Sequence, residues 1–201
     1  LLWVGWFGFN AGSALTAGGR AGMAMLVTQI AAAAAVLSWT VAEWALKGKP
    51  SVLGAISGAV AGLVAITPAA GFVLPGSALV IGLVSGVICF WGATSLKHML
   101  KYDDSLDAFG VHGVGGIVGA LITGFLAYGP LSADAKNPDG VVIGGMAQFI
   151  NQVIAVASTI AFSAIATFIL LKIVDVVIGL RVTEDEEREG LDVVLHGERL
   201  G

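Results

Sequence analysis

An all-α, multi-pass membrane protein is the fold class this sequence predicts, on three observations. Hydrophobic residues make up 57% of the 201 and charged residues only 12%, against about a quarter charged in soluble domains. Mean hydropathy is +0.92. Apolar stretches at about 21–46, 51–70, 72–96, 108–129 and 143–180 reach the roughly 20 helical residues that cross a hydrocarbon core. They lack the strand alternation of a closed barrel, the other way to satisfy backbone groups in lipid.

A shorter apolar stretch, about 1–15, opens the chain with LLWVGW. It has no charged n-region, so it is not read as a signal peptide. The chain starts without Met inside this segment, and the expectation is one part of a longer polypeptide. Within GWFGFNAGSA at 5–14, Trp6, Phe9 and Ser13 share a helical face at i, i+3, i+7. Two readings stand for this cluster. Trp6, Phe7 and Phe9 are interfacial belt residues, or the stripe lines a path whose rings offer cation–π contact to a small cation. Asn10 lies off the stripe and is expected to pack or cap a helix.

The 21–46 stretch ends at the joint KGKP, 47–50. Glu43 and Lys47 are four apart there and read as a structural ion pair. Gly54, Gly58 and Gly62 line one face of the next helix, which turns at AAGF, 69–72. Gly82 and Gly86, then Gly115 and Gly119, repeat the spacing of four. Such faces let membrane helices approach closely, so the 29 glycines predict a tight bundle. Cys89 is the lone cysteine and rules out an intrachain disulfide. The segment KHMLKYDDSLD, 97–107, reads as a charged loop.

The 108–129 helix carries FGVHGVGG at 109–116. Ionisable residues within membrane segments are costly and are functional candidates by default. With Asp103, Asp104 or Ser105 as the helix cap, His112 is expected seven to nine residues in, about 10–14 Å from the end. One reading makes it a buried neutral histidine bonded to a nearby carbonyl. The other makes it a functional group, because neutral imidazole donates and accepts hydrogen bonds and titrates near neutrality.

GPLSADAKNPDG at 129–140 is a polar turn region. From Met146 to Ile178 there is neither Gly nor Pro, which predicts one helix of about 50 Å, longer than the ~30 Å core. It is expected to tilt strongly or to project beyond the membrane. Lys172 and Asp175, three apart near its end, read as an ion pair. The predicted transmembrane domain therefore covers 1–180, with a tail at 181–201. Thr183 and Glu186 have capping-box spacing, and Gly190 is placed to end that short helix. The tail reads either as a solvated acidic segment or as a docking element, since LDVVLHGERLG adds apolar residues that solvation alone does not need.

Alternate joints collect Lys47, Lys49, Lys97, Lys101, Arg181, Arg188 and Arg199 on one side, with only Arg20 and Lys136 on the other. The positive-inside rule then predicts a cytoplasmic tail and a cytoplasmic 97–107 loop, with the His112 helix running outward. The net charge of −4 comes mostly from the tail and argues against nucleic-acid binding.

GWFGFNAGSA, DDSLDAFGVHGVGGIVGALITG and GLRVTEDEEREGLDVVLHGE together resemble the ammonium transporter (Amt/MEP/Rh) family, specifically its bacterial Amt members. The resemblance runs the length of the chain and matches the C-terminal half of such proteins. It implies the second half of an eleven-helix inverted-repeat fold, from the end of helix six through helix eleven, with the substrate path at the repeat interface. It implies a homotrimer in the bacterial inner membrane with a cytoplasmic C-terminus. The implied role is ammonium uptake without a cofactor, a metal or enzymatic chemistry.

Residue by residue, the resemblance makes His112 the second pore histidine, Phe9 a gating phenylalanine, Ser13 an outer recruitment hydroxyl and Trp6 a pore-lining tryptophan. The first histidine and the second gating phenylalanine belong to the other half. In the tail the matching residues are Arg181, Glu186, Gly190, Asp192, His196 and Glu198. They imply contact with a neighbouring subunit and with a PII-type signalling protein. Two alternatives follow from the same resemblance: an ammonium sensor signalling through the tail, and an Rh-like channel for neutral ammonia.

Overall fold

The computed structural model describes residues 1–133, 136 and 138–199, and no strand occurs among them. The chain divides into two units, Leu1–Val156 and Ala157–Gly201. The first holds α1 (Leu2–Gly12), α2 (Gly19–Lys47), α3 (Val52–Ile66) and α4 (Pro75–Trp91). A π-helical turn, Gly92–Leu96, leads into α5 (Lys97–Leu100). A second π turn, Phe109–Gly113, leads into α6 (Val114–Leu126). Helix α7 (Met146–Ile178) contains the boundary between the units. The tail adds α8 (Glu184–Glu189) and α9 (Leu191–His196).

Helix α2 is the centre of the first unit and packs chiefly on α3 and α4. Lipid offers no hydrophobic drive for helices to associate, so close packing has to do it. The alanine run of α2 meets glycines on both neighbours. A methyl on Gly58 would lie 2.7 Å from the Trp39 Cβ, and one on Gly62 would lie 2.5 Å from the Ala31 carbonyl oxygen. Gly82 and Gly86 of α4 face the Ala31–Ser38 stretch, while Gly115 and Gly119 of α6 face Val64, Ala65 and Cys89. All three glycine faces predicted from spacing are therefore helix contacts. Two buried clusters result, one around Val27, Ile66, Val73 and Ile81, the other around Trp39, Cys89, Phe90 and Val111.

Glu43, only 6% exposed, forms the expected pair with Lys47 at 3.4 Å. It does more than pair: its carboxylate accepts from the Ser51 amide and hydroxyl, each at 3.1 Å. Ser51 in turn caps α3 by accepting from the Gly54 amide at 2.9 Å. One carboxylate thus ties the end of α2 to the start of α3 and satisfies the buried charge with hydrogen bonds.

Two expectations need correction. The 51–70 stretch yields a helix of only 15 residues, because Pro68 lacks the amide that would continue the ladder. Four other stretches, Gly19–Lys47, Pro75–Leu100, Phe109–Leu126 and Met146–Ile178, are long and apolar enough to cross a membrane. The 97–107 segment is not all loop: helix persists to Leu100, and Lys101 ends it with φ 53. The π turn keeps the backbone ladder closed past Trp91, so the charged residues Lys97 and His98 sit on helix.

Helix α7 covers the predicted Met146–Ile178, has no buried residue, and carries the Lys172–Asp175 pair at 3.6 Å. Phe149 near its start stacks on Phe125 at 4.3 Å between centroids. In the polar turn region, Asp134, Ala135 and Asn137 lie outside the described residues, as do Leu200 and Gly201 at the end of the tail.

Candidate functional site

Helix α1 presents Trp6, Phe9 and Ser13 as a connected stripe. The rings of Trp6 and Phe9 meet edge to face at 6.1 Å. The Trp6 indole donates to the Thr67 hydroxyl at 2.8 Å, which itself donates to the Leu63 carbonyl at 2.8 Å. A partner for the indole N–H fixes the ring without burying an orphan donor. Asn10 is the packing group the sequence predicts: it is buried and its amide donates to the Thr28 hydroxyl at 3.0 Å.

Ser13 follows the last turn of α1, and its hydroxyl donates to the Phe9 carbonyl at 2.7 Å. That bond uses its proton, so what Ser13 offers its surroundings is oxygen lone pairs. Phe9 and Ser13 line a recess of about 250 Å³ together with Arg20, Thr67 and Phe72. The Arg20 guanidinium lies 4.7 Å from the centre of the Phe72 ring and donates to the Gly71 carbonyl at 3.3 Å. Sequence reasoning missed Thr67 and Arg20 as neighbours of this stripe. Their partners are 61 and 51 residues away, and nothing local signals them.

His112 lies in the second π turn, and its depth differs from the expectation. Asp104 does cap, accepting from the Ala108 amide at 2.9 Å and the Phe109 amide at 2.8 Å. The helix starts only at Ala108, because residues 105–107 turn first and Asp107 adopts φ 55. His112 is therefore four residues in, about 6 Å at helical rise. The buried, carbonyl-bonded reading also fails in this chain: His112 is exposed and hydrogen-bonds to no other described residue. Its neighbour Val111 is the one that points inward, and the Cys89 thiol lies 3.8 Å from the Val111 carbonyl. The histidine and the Trp6–Ser13 stripe are not brought into direct contact.

The tail unit is organised by its own polar groups. The Thr183 amide donates to the Glu186 carboxylate at 2.8 Å and the Glu186 amide to the Thr183 hydroxyl at 3.4 Å, the predicted capping box. Arg181 grips Glu187 in a forked pair, at 3.0 and 3.2 Å. Gly190 ends α8 with φ 102, as the sequence predicts. The short α9, which it does not predict, ends at His196, and the Glu198 amide closes back on the Asp192 carbonyl at 2.9 Å.

Bonds from the Thr183 hydroxyl and amide hold the Glu186 carboxyl below its ordinary value of 4.5, and the Arg181 guanidinium does the same for Glu187. A carboxyl lowered by folding stabilises the fold above its ordinary value, and the effect is lost as pH falls through the lowered one. The NMR signals of residues 184–189 should therefore stay helical at neutral pH and lose helical shifts as acid protonates the two carboxyls. Helical shifts unchanged at pH 2 would contradict the capping account.

Among the described residues, no group of three or more His, Cys, Asp or Glu side chains is placed to hold a metal. A sequence model described as Ammonium Transporter Family matches residues 1–200. A protein named ammonium transporter from Bacillus subtilis (strain 168) is 50% identical over 199 residues, 99% of this chain and 49% of the relative. The crystal structure of Saccharomyces cerevisiae Mep2 superposes with a TM-score of 0.81 at 39% identity, covering 88% of this chain and 43% of Mep2. A protein named Sensor Amt Protein superposes with a TM-score of 0.85 at 33% identity, covering 96% of this chain and 46% of its own. The chain spans about half the length of the curated relatives it matches.

Proposed function

We propose, since the chain belongs to the ammonium transporter family, that the complete protein takes up ammonium across a membrane and that this chain supplies one wall of its path. The observation that carries the reading is the placement of His112. An imidazole stands exposed on a glycine-rich helix of a membrane bundle, with no partner among the described residues. A second half of similar length would cover that face, and the pore would lie at the interface of the two.

In this reading ammonium is recruited at the outer mouth. The Ser13 lone pairs accept from its N–H groups, and the Trp6 and Phe9 rings face its charge. Phe9 gates the entrance. A dry pore penalises any ion heavily, and ammonium relieves that penalty by giving up its proton. Ammonia then passes along the apolar tunnel, with His112 as hydrogen-bond partner and proton relay. A potassium ion has no proton to give and stays out.

The 1–180 segment acts as the membrane domain and 181–201 as the regulatory tail. The bias of Lys and Arg, seven against two, supports a cytoplasmic tail in a bacterial inner membrane. The protein works as a homotrimer, and Arg181, Glu186, Gly190, Asp192, His196 and Glu198 hold the tail in the form that meets a neighbouring subunit and a PII-type signalling protein.

A second reading, an ammonium sensor, draws support from the likeness to Sensor Amt Protein. An Rh-like channel for neutral ammonia is the third. The test is ammonium flux into vesicles containing the complete purified protein, with partner binding to the tail measured alongside. Saturable flux supports the transporter. Ammonium-dependent partner binding without flux replaces it with the sensor.

A further inference from the structure

The two π turns of the first unit form one joint. The backbones at Gly92 and Gly110 meet so closely that a methyl on Gly110 would lie 2.6 Å from the Ala93 amide nitrogen. A methyl on Gly92 would lie 3.1 Å from the Gly110 carbonyl oxygen. Both turns widen where they touch; Gly110 leaves no room for a side chain, and at Gly92 even a methyl would be a tight contact. The second turn is further fixed at its start. Asp104 caps it, and the Val111 amide donates to the Asp107 carbonyl at 3.0 Å. The Phe109 ring packs edge to face on Tyr102 at 5.5 Å.

One ion pair bridges the ends of this joint. Lys97, the first residue after the first π turn, reaches the Asp107 carboxylate at 2.8 Å. Asp107 stands two residues before the second π turn, with φ 55, and His112 is the fourth residue of that turn. Both side chains are partly shielded, at 27% and 39% exposure, so the pair is less screened than a fully exposed one.

We propose that Lys97 and Asp107 are a positioning pair: they lock the two π turns in register and so set where the His112 imidazole stands in the path. The proposal rests on the transporter reading for its effect on transport, though not for its effect on His112. The physical reason is leverage. A π turn carries one residue more per hydrogen-bonded ring than an α turn, so its relaxation to α would rotate the side chains within and beyond it, His112 among them. The glycine contact holds the middles of the turns together. The ion pair holds the end of one to the beginning of the other.

The test uses the complete protein in bilayers, with Lys97→Met, Asp107→Asn, Lys97→Arg and the exchanged pair Lys97→Asp with Asp107→Lys. Misplacing a reacting group by about an ångström costs up to about 10²-fold. Lys97→Met and Asp107→Asn are therefore expected to lower ammonium-evoked flux by about 10- to 100-fold. Lys97→Arg is expected to restore most of it, and the exchanged pair part of it. The ¹⁵N resonances of the His112 ring should move in Lys97→Met and stay in place in Lys97→Arg.

Unmoved His112 resonances in Lys97→Met would overturn the proposal whatever the flux. So would an equal loss of folded protein in Lys97→Met and Lys97→Arg, which would make the pair merely structural. Absence of flux in the parent would overturn the transport reading instead, and the ring resonances would still decide the role of the pair.

Discussion

Replacing His112 by Ala in the complete protein is expected to cut ammonium-evoked current by about 10²-fold or more, the size of effect a positioned proton-transfer group supplies. The fold should survive. His112 is exposed in this chain and bonds to no other described residue, so its removal leaves no core cavity and no orphaned partner within this half. The inward residue of that turn is Val111, 6% exposed, and it is untouched. Protein of normal yield and assembly with little current is the expected pair of results. Undiminished current would remove His112 from the path.

The second large effect is one of packing. Gly62→Val is expected to prevent assembly of a stable bundle, measured as loss of monodisperse protein on heating in detergent. Even the first carbon of a side chain would sit 2.5 Å from the Ala31 backbone oxygen, and a backbone atom cannot swing aside. Overpacking of a dense core costs about 1–3 kcal/mol and sometimes more, and a branched residue at a helix crossing lies at the upper end. Gly76→Ala is the control. Nothing lies within 4 Å of a methyl there, so its melting temperature should match the parent. Equal stability of the two variants would mean that α2 and α3 do not cross at Gly62.

What the sequence made legible is whatever depends on near neighbours. The Glu43–Lys47 and Lys172–Asp175 pairs follow from spacings of four and three. The capping box at Thr183 and the stop at Gly190 follow from the chemistry of helix ends. The glycine faces follow from periodicity, although their partners on α2 had to come from the structure. Even Asn10 could be assigned to packing, because it falls off the stripe of Trp6, Phe9 and Ser13.

What stayed hidden depends on distant partners or on a change of helical pitch. The π turns at Gly92–Leu96 and Phe109–Gly113 arise where two backbones meet, and a pattern read along one segment cannot register them. The depth of His112 has a different cause, the turn at 105–107 that delays the helix start to Ala108. A cap among Asp103, Asp104 and Ser105 is expected from the sequence, but not the three residues that Asp104 spans before the helix begins. Thr67 beneath Trp6 and Arg20 over Phe72 belong to the same class. The candidate path itself is legible as one wall, because the residues that would face His112 lie in the other half of the proposed protein.

The most direct test of deprotonation within the path is to measure charge and nitrogen together. Vesicles containing the complete purified protein would be given an ammonium pulse, with membrane current and ¹⁵N uptake recorded in the same preparation. Ammonia and its proton crossing by the same path predict saturable current in fixed proportion to nitrogen, with both falling together in His112→Ala. Nitrogen uptake with no current would contradict proton passage through His112 and leave a channel for neutral ammonia in its place.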